Sequence, residues 1–163
     1  MLQYLQATRQ ATLNLGCFSV EVLHGYFDSV HGDNHDKRST GGYIFLLYGS
    51  LISWQSMVQK VIALSTTEAE YMSTTEAGCE LVWIRGILQE IGRKIELRDN
   101  TGSNALAKNP EFHQRTKHIE LCQRLITSLV ECRTVDVAYI PSKVMLADGL
   151  TKPLSKDDRH ELH

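Results

Sequence analysis

The stretch STTEAEYMSTTEAGCELVWIRGILQEIG, residues 65–92, predicts one long amphipathic helix. Ser65, with Glu68 three residues later, is typical of a capping box at a helix start. From Glu70 onward, one face recurs at alternating spacings of four and three residues, the pattern of a helix packed on a core. Its positions are Glu70, Thr74, Ala77, Leu81, Ile84, Leu88 and Ile91. Gly92 is expected to end the helix as a C-cap.

Strand patterns lie on both sides of this helix. CFSVEVLHGYFD, residues 17–28, alternates between apolar and polar positions and predicts a first strand. YIFLLYG and SLISWQS, joined at Gly49–Ser50, predict a hairpin. KIELRD (94–99) and VDVAYIP (135–141) predict two later strands. A helix between strands favours a parallel crossover, so we expect an α/β fold: a mixed five-stranded sheet with three antiparallel leading strands and helices on both faces.

Composition indicates an ordinary globular protein. The chain has 163 residues, 42% of them hydrophobic and 22% charged, which suits one domain with a core. Its formal net charge of −2 argues against a strongly basic surface that coats nucleic acid. The four cysteines form no C-x-x-C pair, so a zinc ribbon is not expected. No signal peptide or long apolar run is visible, which predicts an intracellular protein, cytoplasmic or nuclear, without a membrane span.

Four carboxylates fall at boundaries of the predicted elements: Asp28, Glu70, Asp99 and Asp148. Strand ends and the starts of following helices meet at one edge of such a sheet, so the first three are expected to lie close together. Like charges at close range raise one another's pKa, and divalent cations relieve that repulsion. Two positions have ordinary alternatives, because Glu70 could be exposed at the start of the helix and Asp99 could be a helix N-cap.

Several segments then resemble one family. RSTGGYIFLLYGSLISW, QKVIALSTTEAEYM, DNTGSNALAKNPEFHQRTKHIEL and LADGLTKPL resemble the ribonuclease H domain of copia-type (Pseudoviridae) retrotransposon polyproteins. The resemblance covers roughly residues 20–155, and the T-E-A-E-Y and A-D-x-L-T-K-P-L motifs are specific in combination. Residues 1–16 resemble the tail of a preceding reverse transcriptase or connection segment, which leaves residues 17–163 as the ribonuclease H-like domain.

The resemblance implies a ribonuclease H-like fold and endonucleolytic hydrolysis of the RNA strand of RNA–DNA hybrids during reverse transcription. The family's catalytic, metal-binding carboxylates match Asp28 in GYFD, Glu70 in TEAEY, Asp99 in RDN and Asp148 in LADGL. They would hold two Mg²⁺ ions, or Mn²⁺ as a substitute, about 3.5–4 Å apart. The implied partners are the hybrid and an adjacent reverse transcriptase domain. Substrate contacts are expected at Ser29, Asn100, Arg115, Lys117 and His118.

The chain also departs from the family pattern near the expected site. FDSVH (27–31) stands where the family usually has S-D-A-D-W, so the second Asp is missing. Met57 and Val58 replace a basic pair, which removes two candidate phosphate contacts. The alternative function is therefore a domesticated or decayed ribonuclease H-like domain that binds nucleic acid or protein without efficient cleavage. Trp54 and Trp83 are expected in the core, with base stacking by Trp54 as the less favoured alternative.

Overall fold

The computed structural model describes one long stretch of the chain and several short ones. The described residues are 6, 9–10, 12–13, 15, 22–93, 96–97, 124, 127–129, 131, 140–141 and 145–152. Their elements, in chain order, are β1 (Val22–Val30), β2 (Thr40–Leu47), β3 (Ser50–Val58), α1 (Thr66–Glu90), β4 (Glu96–Leu97) and α2 (Asp148–Thr151). Most of residues 1–21 lie outside this part, so the division after residue 16 stays a prediction.

The strands form one sheet in the order β3-β2-β1-β4. β1 pairs with β2 and β2 pairs with β3, both antiparallel, while β4 pairs with β1 in parallel. Both the antiparallel leading strands and the parallel crossover through α1 are therefore confirmed. The fifth predicted strand, residues 135–141, lies outside the described residues except for Ile140 and Pro141.

The first strand ends later than its side-chain pattern predicts, and its predicted start, residues 17–21, lies outside the described residues. β1 continues through Ser29 and Val30, and its last pairs run from Asp28↔Gly42 to Val30↔Thr40. Asp28 therefore lies inside a strand, and the prediction that it ends one was wrong. The hydrogen bonds between strands join backbone atoms, so polar residues and glycine can pair as well as apolar residues. An alternating apolar pattern therefore does not show where the strand ends.

The hairpin between β2 and β3 turns one residue earlier than predicted. Leu47 pairs with Ser50, which leaves Tyr48 and Gly49 as a two-residue loop. Both loop residues have positive φ, 54° and 74°. This is the geometry of a type I′ turn, whose twist matches that of the flanking strands.

Helix α1 confirms the capping predictions at both ends. The Ser65 side chain accepts a hydrogen bond from the Glu68 backbone N–H at 3.1 Å. The Glu68 carboxylate in turn accepts from the Leu64 N–H at 2.7 Å, one residue earlier than in a standard capping box. At the other end the N–H of Gly92 (φ 77°) donates to Gln89 O and that of Arg93 to Leu88 O. These two bonds form a Schellman motif that ends the helix.

The two helices cover opposite faces of the sheet. On one face, α1 packs against β1 and β2 around Leu23, Tyr43, Phe45, Ala77, Leu81, Ile84 and Leu88. On the other, α2 lies so close to β2 that a Cβ placed on Gly42 would stand 2.8 Å from Leu150 Cβ. Helices on both faces are thus confirmed within the described residues. In the described ranges, no helix is both long enough and apolar enough to cross a membrane.

The predicted helix stripe is buried in its middle and exposed at its ends. Thr74, Ala77, Leu81, Ile84 and Leu88 are buried, whereas Glu70 and Ile91 are exposed. The core prediction for the two tryptophans was wrong, because Trp54 is 55% exposed and Trp83 60% exposed. Trp54 alternates onto the face of β3 that α1 does not cover, and Trp83 points away from the inward stripe of α1. The hydrophobicity of a residue alone does not show whether its side chain lies on the buried or the exposed face of its strand or helix.

Candidate active site

Asp28 and Asp148 meet on the face of the sheet that carries α2. The Lys152 ammonium lies 3.4 Å from Asp28 Oδ2 and 3.1 Å from Asp148 Oδ1, so it bridges the two carboxylates. The Thr151 hydroxyl also donates to Asp28 Oδ2. The structure therefore brings together two of the four predicted carboxylates, from opposite ends of the described chain.

Helix α2 is held in place by contacts to β2 and β3. The Ser56 hydroxyl donates to the Leu150 carbonyl at 2.6 Å. Gly42, which pairs with Asp28 across β1 and β2, leaves the room that Leu150 and Thr151 occupy. Residues paired directly across antiparallel strands share a face, so α2 delivers Asp148 to the side of the sheet where Asp28 stands.

Glu70 approaches the same centre from α1. Glu70 is exposed, which agrees with the alternative prediction of an exposed residue at the start of the helix. Nevertheless its pKa is raised, first because neighbouring atoms keep part of the carboxyl from water and second because of the negative charge of Asp28. The charge effect indicates that the carboxylates of Glu70 and Asp28 are near enough to influence one another.

The pKa values of Asp148 and Lys152 are also shifted in this cluster. Burial raises the pKa of Asp148, the charge of Asp28 adds to this, and the ion pair with Lys152 opposes it. Burial alone would lower the pKa of Lys152, but the carboxylates of Asp148 and Asp28 outweigh it and the pKa is raised. Asp28 and Asp148 bring two negative formal charges to this contact, and Lys152 brings one positive charge.

The donor chemistry of this cluster suits a hard divalent cation, which prefers carboxylate oxygen ligands. The bridging Lys152 acts as a stand-in cation and shows that Asp28 and Asp148 together take up positive charge. Within the described ranges, no group of three or more His, Cys, Asp or Glu side chains is close enough to hold a metal ion. Asp99, the fourth predicted ligand, lies outside the described residues, so a four-carboxylate site stays a prediction.

The predicted substrate contacts are mostly untested. Asn100, Arg115, Lys117 and His118 lie outside the described residues. Ser29 is half-buried in β1, and as the neighbour of Asp28 its side chain alternates onto the α1 face.

Met57 and Val58 likewise point to opposite faces of β3. Val58 is 47% exposed, whereas Met57 lines a cavity of about 200 Å³ between the hairpin and α1. Basic residues at these two positions would therefore not reach the same surface.

Sequence reasoning missed the part that Thr151 and Lys152 play. Both stand in the LADGLTKPL segment, directly after the expected Asp148. The spacing of Asp148 and Lys152, four residues apart on a short helix, is a signal for an ion pair. Their contacts with Asp28 had no local signal, because β1 and α2 are remote in sequence.

The chain is similar in sequence to polyproteins of plant transposons. No protein-family model matches the chain. The chain is 38% identical, over 96% of its length, to the retrovirus-related Pol polyprotein from transposon TNT 1-94 of Nicotiana tabacum, and spans 12% of that protein. It is 39% identical, over the same share, to the Pol polyprotein from transposon RE2 of Arabidopsis thaliana, and spans 11% of it.

The likeness extends to solved structures. The crystal structure of LC11-RNase H1 in complex with RNA/DNA hybrid matches with a TM-score of 0.56 at 16% sequence identity, covering 78% of this chain and 92% of that one. At this identity the match establishes the fold, and the predicted ribonuclease H-like α/β fold is confirmed.

Proposed function

We propose that this chain is the ribonuclease H-fold domain of a copia-type retrotransposon Pol polyprotein, the class of protein to which it is 38–39% identical, and that it hydrolyses the RNA strand of RNA–DNA hybrids. The observation that carries the proposal is the meeting of Asp28 and Asp148 beside α2, with Glu70 near enough to feel the charge of Asp28. The convergence of Asp28 and Asp148, two of the four carboxylates that the family resemblance singled out, supports the proposal. This convergence favours the enzyme over a decayed domain that only binds.

In this mechanism Asp28, Glu70 and Asp148, together with Asp99, would hold the divalent ions, Mg²⁺ or Mn²⁺. Bound ions of this kind lower the pKa of an attacking water and stabilise the leaving 3′ oxygen. Thr151 fixes the orientation of Asp28 through its hydrogen bond to Oδ2. Glu70 is exposed, which leaves it free to accept the 2′-hydroxyl that distinguishes RNA from DNA.

The proposed partners follow from the polyprotein relatives. The chain spans about an eighth of them, so we propose that an adjacent reverse transcriptase domain holds the hybrid and raises its effective concentration at this site. The same context supports an intracellular location, where a transposon copies its RNA.

A cleavage assay tests the proposal. The domain is incubated with an RNA–DNA hybrid labelled on either strand, with Mg²⁺ or Mn²⁺, and we expect cuts in the RNA strand alone, with 5′-phosphate ends. Duplex DNA and duplex RNA serve as controls and should remain intact. If neither metal supports cleavage while the hybrid is still bound, the binding-only alternative replaces the enzyme.

Divalent ions are expected to stabilise the fold, and more so as the pH rises. The pKa values of Glu70 and Asp148 are raised, so their contribution to stability is present below the ordinary carboxyl range, about pH 4, and is lost as the pH rises through the raised values. The metal-free protein should therefore lose stability across this range, and bound Mg²⁺ should restore it through linkage.

Thermal melts at pH 4 and pH 7, with and without millimolar Mg²⁺, measure this effect. We expect a shift of a few degrees at pH 7 and a smaller one at pH 4. Added NaCl at equal ionic strength is the control. An equal shift at both pH values, or none with either Mg²⁺ or Mn²⁺, would show that these carboxylates form no shared site.

Val58→Lys is expected to tighten hybrid binding and to steepen its salt dependence by about one counterion. Val58 is exposed and lies on the same face of the sheet as Asp28, two strands away. Met57→Lys is the matched comparison, because Met57 faces the cavity beside α1 and its lysine should leave the salt slope unchanged.

Fluorescence anisotropy with a labelled hybrid over a range of KCl concentrations measures both variants. Single-stranded RNA should gain less from Val58→Lys if the surface fits a hybrid. Equal salt slopes for Val58→Lys and the parent would contradict the expected contact.

A further inference from the structure

We propose that the Lys152 ammonium occupies the space between Asp28 and Asp148 when no divalent ion is bound, and that it competes with that ion for the two carboxylates. The inference rests on the proposed function, because it takes the metal dependence of the family as given. It assigns a role in metal binding to Lys152, a residue outside the four carboxylates that the family resemblance singled out.

The ion-pair geometry carries the argument. The ammonium lies 3.1 Å from Asp148 Oδ1 and 3.4 Å from Asp28 Oδ2, so one cation serves both acids. The side chains of Asp28 and Asp148 are only 22% and 17% exposed. Two carboxylates so poorly hydrated repel one another strongly unless a positive charge stands between them.

The Lys152 ammonium and a divalent ion cannot both bind the oxygens of Asp28 and Asp148 without weakening one another's binding. The ammonium has three donors and no acceptor, so it contributes nothing to the coordination of a metal. Its positive charge also repels a second cation at the same carboxylates. Metal binding therefore requires the ammonium to withdraw, and its ion pairs subtract from the metal's affinity.

The lysine can withdraw without disturbing the fold. Its backbone is anchored at the end of α2, where its N–H donates to the Asp148 carbonyl at 2.9 Å. Its side chain is 42% exposed. A four-carbon stem at such a position can swing its ammonium into solvent while the backbone stays in place. Thr151, which holds Asp28, would keep its contact throughout.

Calorimetric titration of the metal-free protein with MgCl₂ tests the competition. Lys152→Met should bind Mg²⁺ about tenfold more tightly than the parent, since two partly exposed ion pairs are each worth a few-fold in an equilibrium constant. Lys152→Arg keeps the charge and should stay close to the parent. The matched control is Arg93→Met, which removes a positive charge beyond the C-terminal end of α1, itself about 30 Å along the helix axis from Glu70, and should leave the affinity unchanged.

A second readout follows the lysine itself. In the parent protein with ¹⁵N-labelled lysine side chains, the Lys152 Nζ resonance should move toward the shift of a free lysine as Mg²⁺ is added. A circular dichroism melt of each variant checks that the fold is retained.

The outcomes separate this inference from the proposed function. Tighter Mg²⁺ binding by Lys152→Met alone supports it. Unchanged or weaker binding by Lys152→Met, with hybrid cleavage intact in the parent, overturns the competition and leaves the nuclease standing. Absence of Mg²⁺ binding and of cleavage in both the parent and Lys152→Met overturns both proposals.

Discussion

Asp28→Asn is expected to lower the rate of RNA cleavage by about three orders of magnitude, since loss of a metal ligand removes several kcal/mol of transition-state stabilisation. Asp28 is central to the site, because its Oδ2 contacts both Thr151 and Lys152 and its charge adds to the burial that raises the pKa of Glu70. Asparagine has the same shape and keeps an oxygen that accepts from Thr151, so the fold should persist. Glu70→Gln should have an effect of similar size.

Single-turnover cleavage of a labelled hybrid, with enzyme in excess, measures the rate of these variants. Asp36→Asn is a matched control, because Asp36 is an exposed acid in the loop after β1 that pairs with Arg38. Its rate should equal that of the parent. Parental rates in both Asp28→Asn and Glu70→Gln would exclude these residues from the chemistry.

Gly42→Ala is expected to reduce both stability and cleavage. The new Cβ would stand 2.8 Å from Leu150 Cβ and 3.1 Å from the Gln55 backbone oxygen, so α2 or β3 must shift. Overpacking of this kind typically costs about 1–3 kcal/mol. Because α2 carries Asp148 and Thr151, a displacement near 1 Å should also lower the cleavage rate by about a hundredfold.

Gly86→Ala is the matched control for this substitution. Gly86 lies in α1, and a Cβ there meets nothing within 4 Å. Alanine has the higher helix propensity, so this variant should be more stable by about 0.5–1 kcal/mol and should cleave at the parental rate. Urea denaturation and single-turnover cleavage of both variants distinguish packing against α2 from a general cost of adding a methyl group. Equal stabilities of Gly42→Ala and the parent would contradict the close approach of α2.

The sequence predicted the elements whose signals are local. Helix α1 begins and ends where Ser65 and Gly92 indicate, because caps are satisfied by neighbours in the chain. The type I′ turn was predicted one residue late, because a tyrosine at positive φ is uncommon and Gly49 alone does not indicate that Tyr48 belongs to the turn.

Motifs singled out Asp28 and Asp148, which the structure brings together, but their role as site acids stays a prediction. The bonds of Thr151 and Lys152 to Asp28 could not be predicted, because they depend on how α2 packs over Gly42. The burial of Trp54 and Trp83 was mispredicted for a related reason, because the face a side chain takes is decided by the sheet and not by the residue type.

The hydrogen bond between Thr151 and Asp28 spans 123 residues of sequence. A contact of that span closes a long loop and forms after the local hairpins and helices. β1, β2, β3 and α1 precede α2 in the chain, so they are synthesised before the partners of the Asp28 carboxylate are. A site that contains both Asp28 and Asp148 is therefore assembled only after residues 148–152 have been made and have packed over β2.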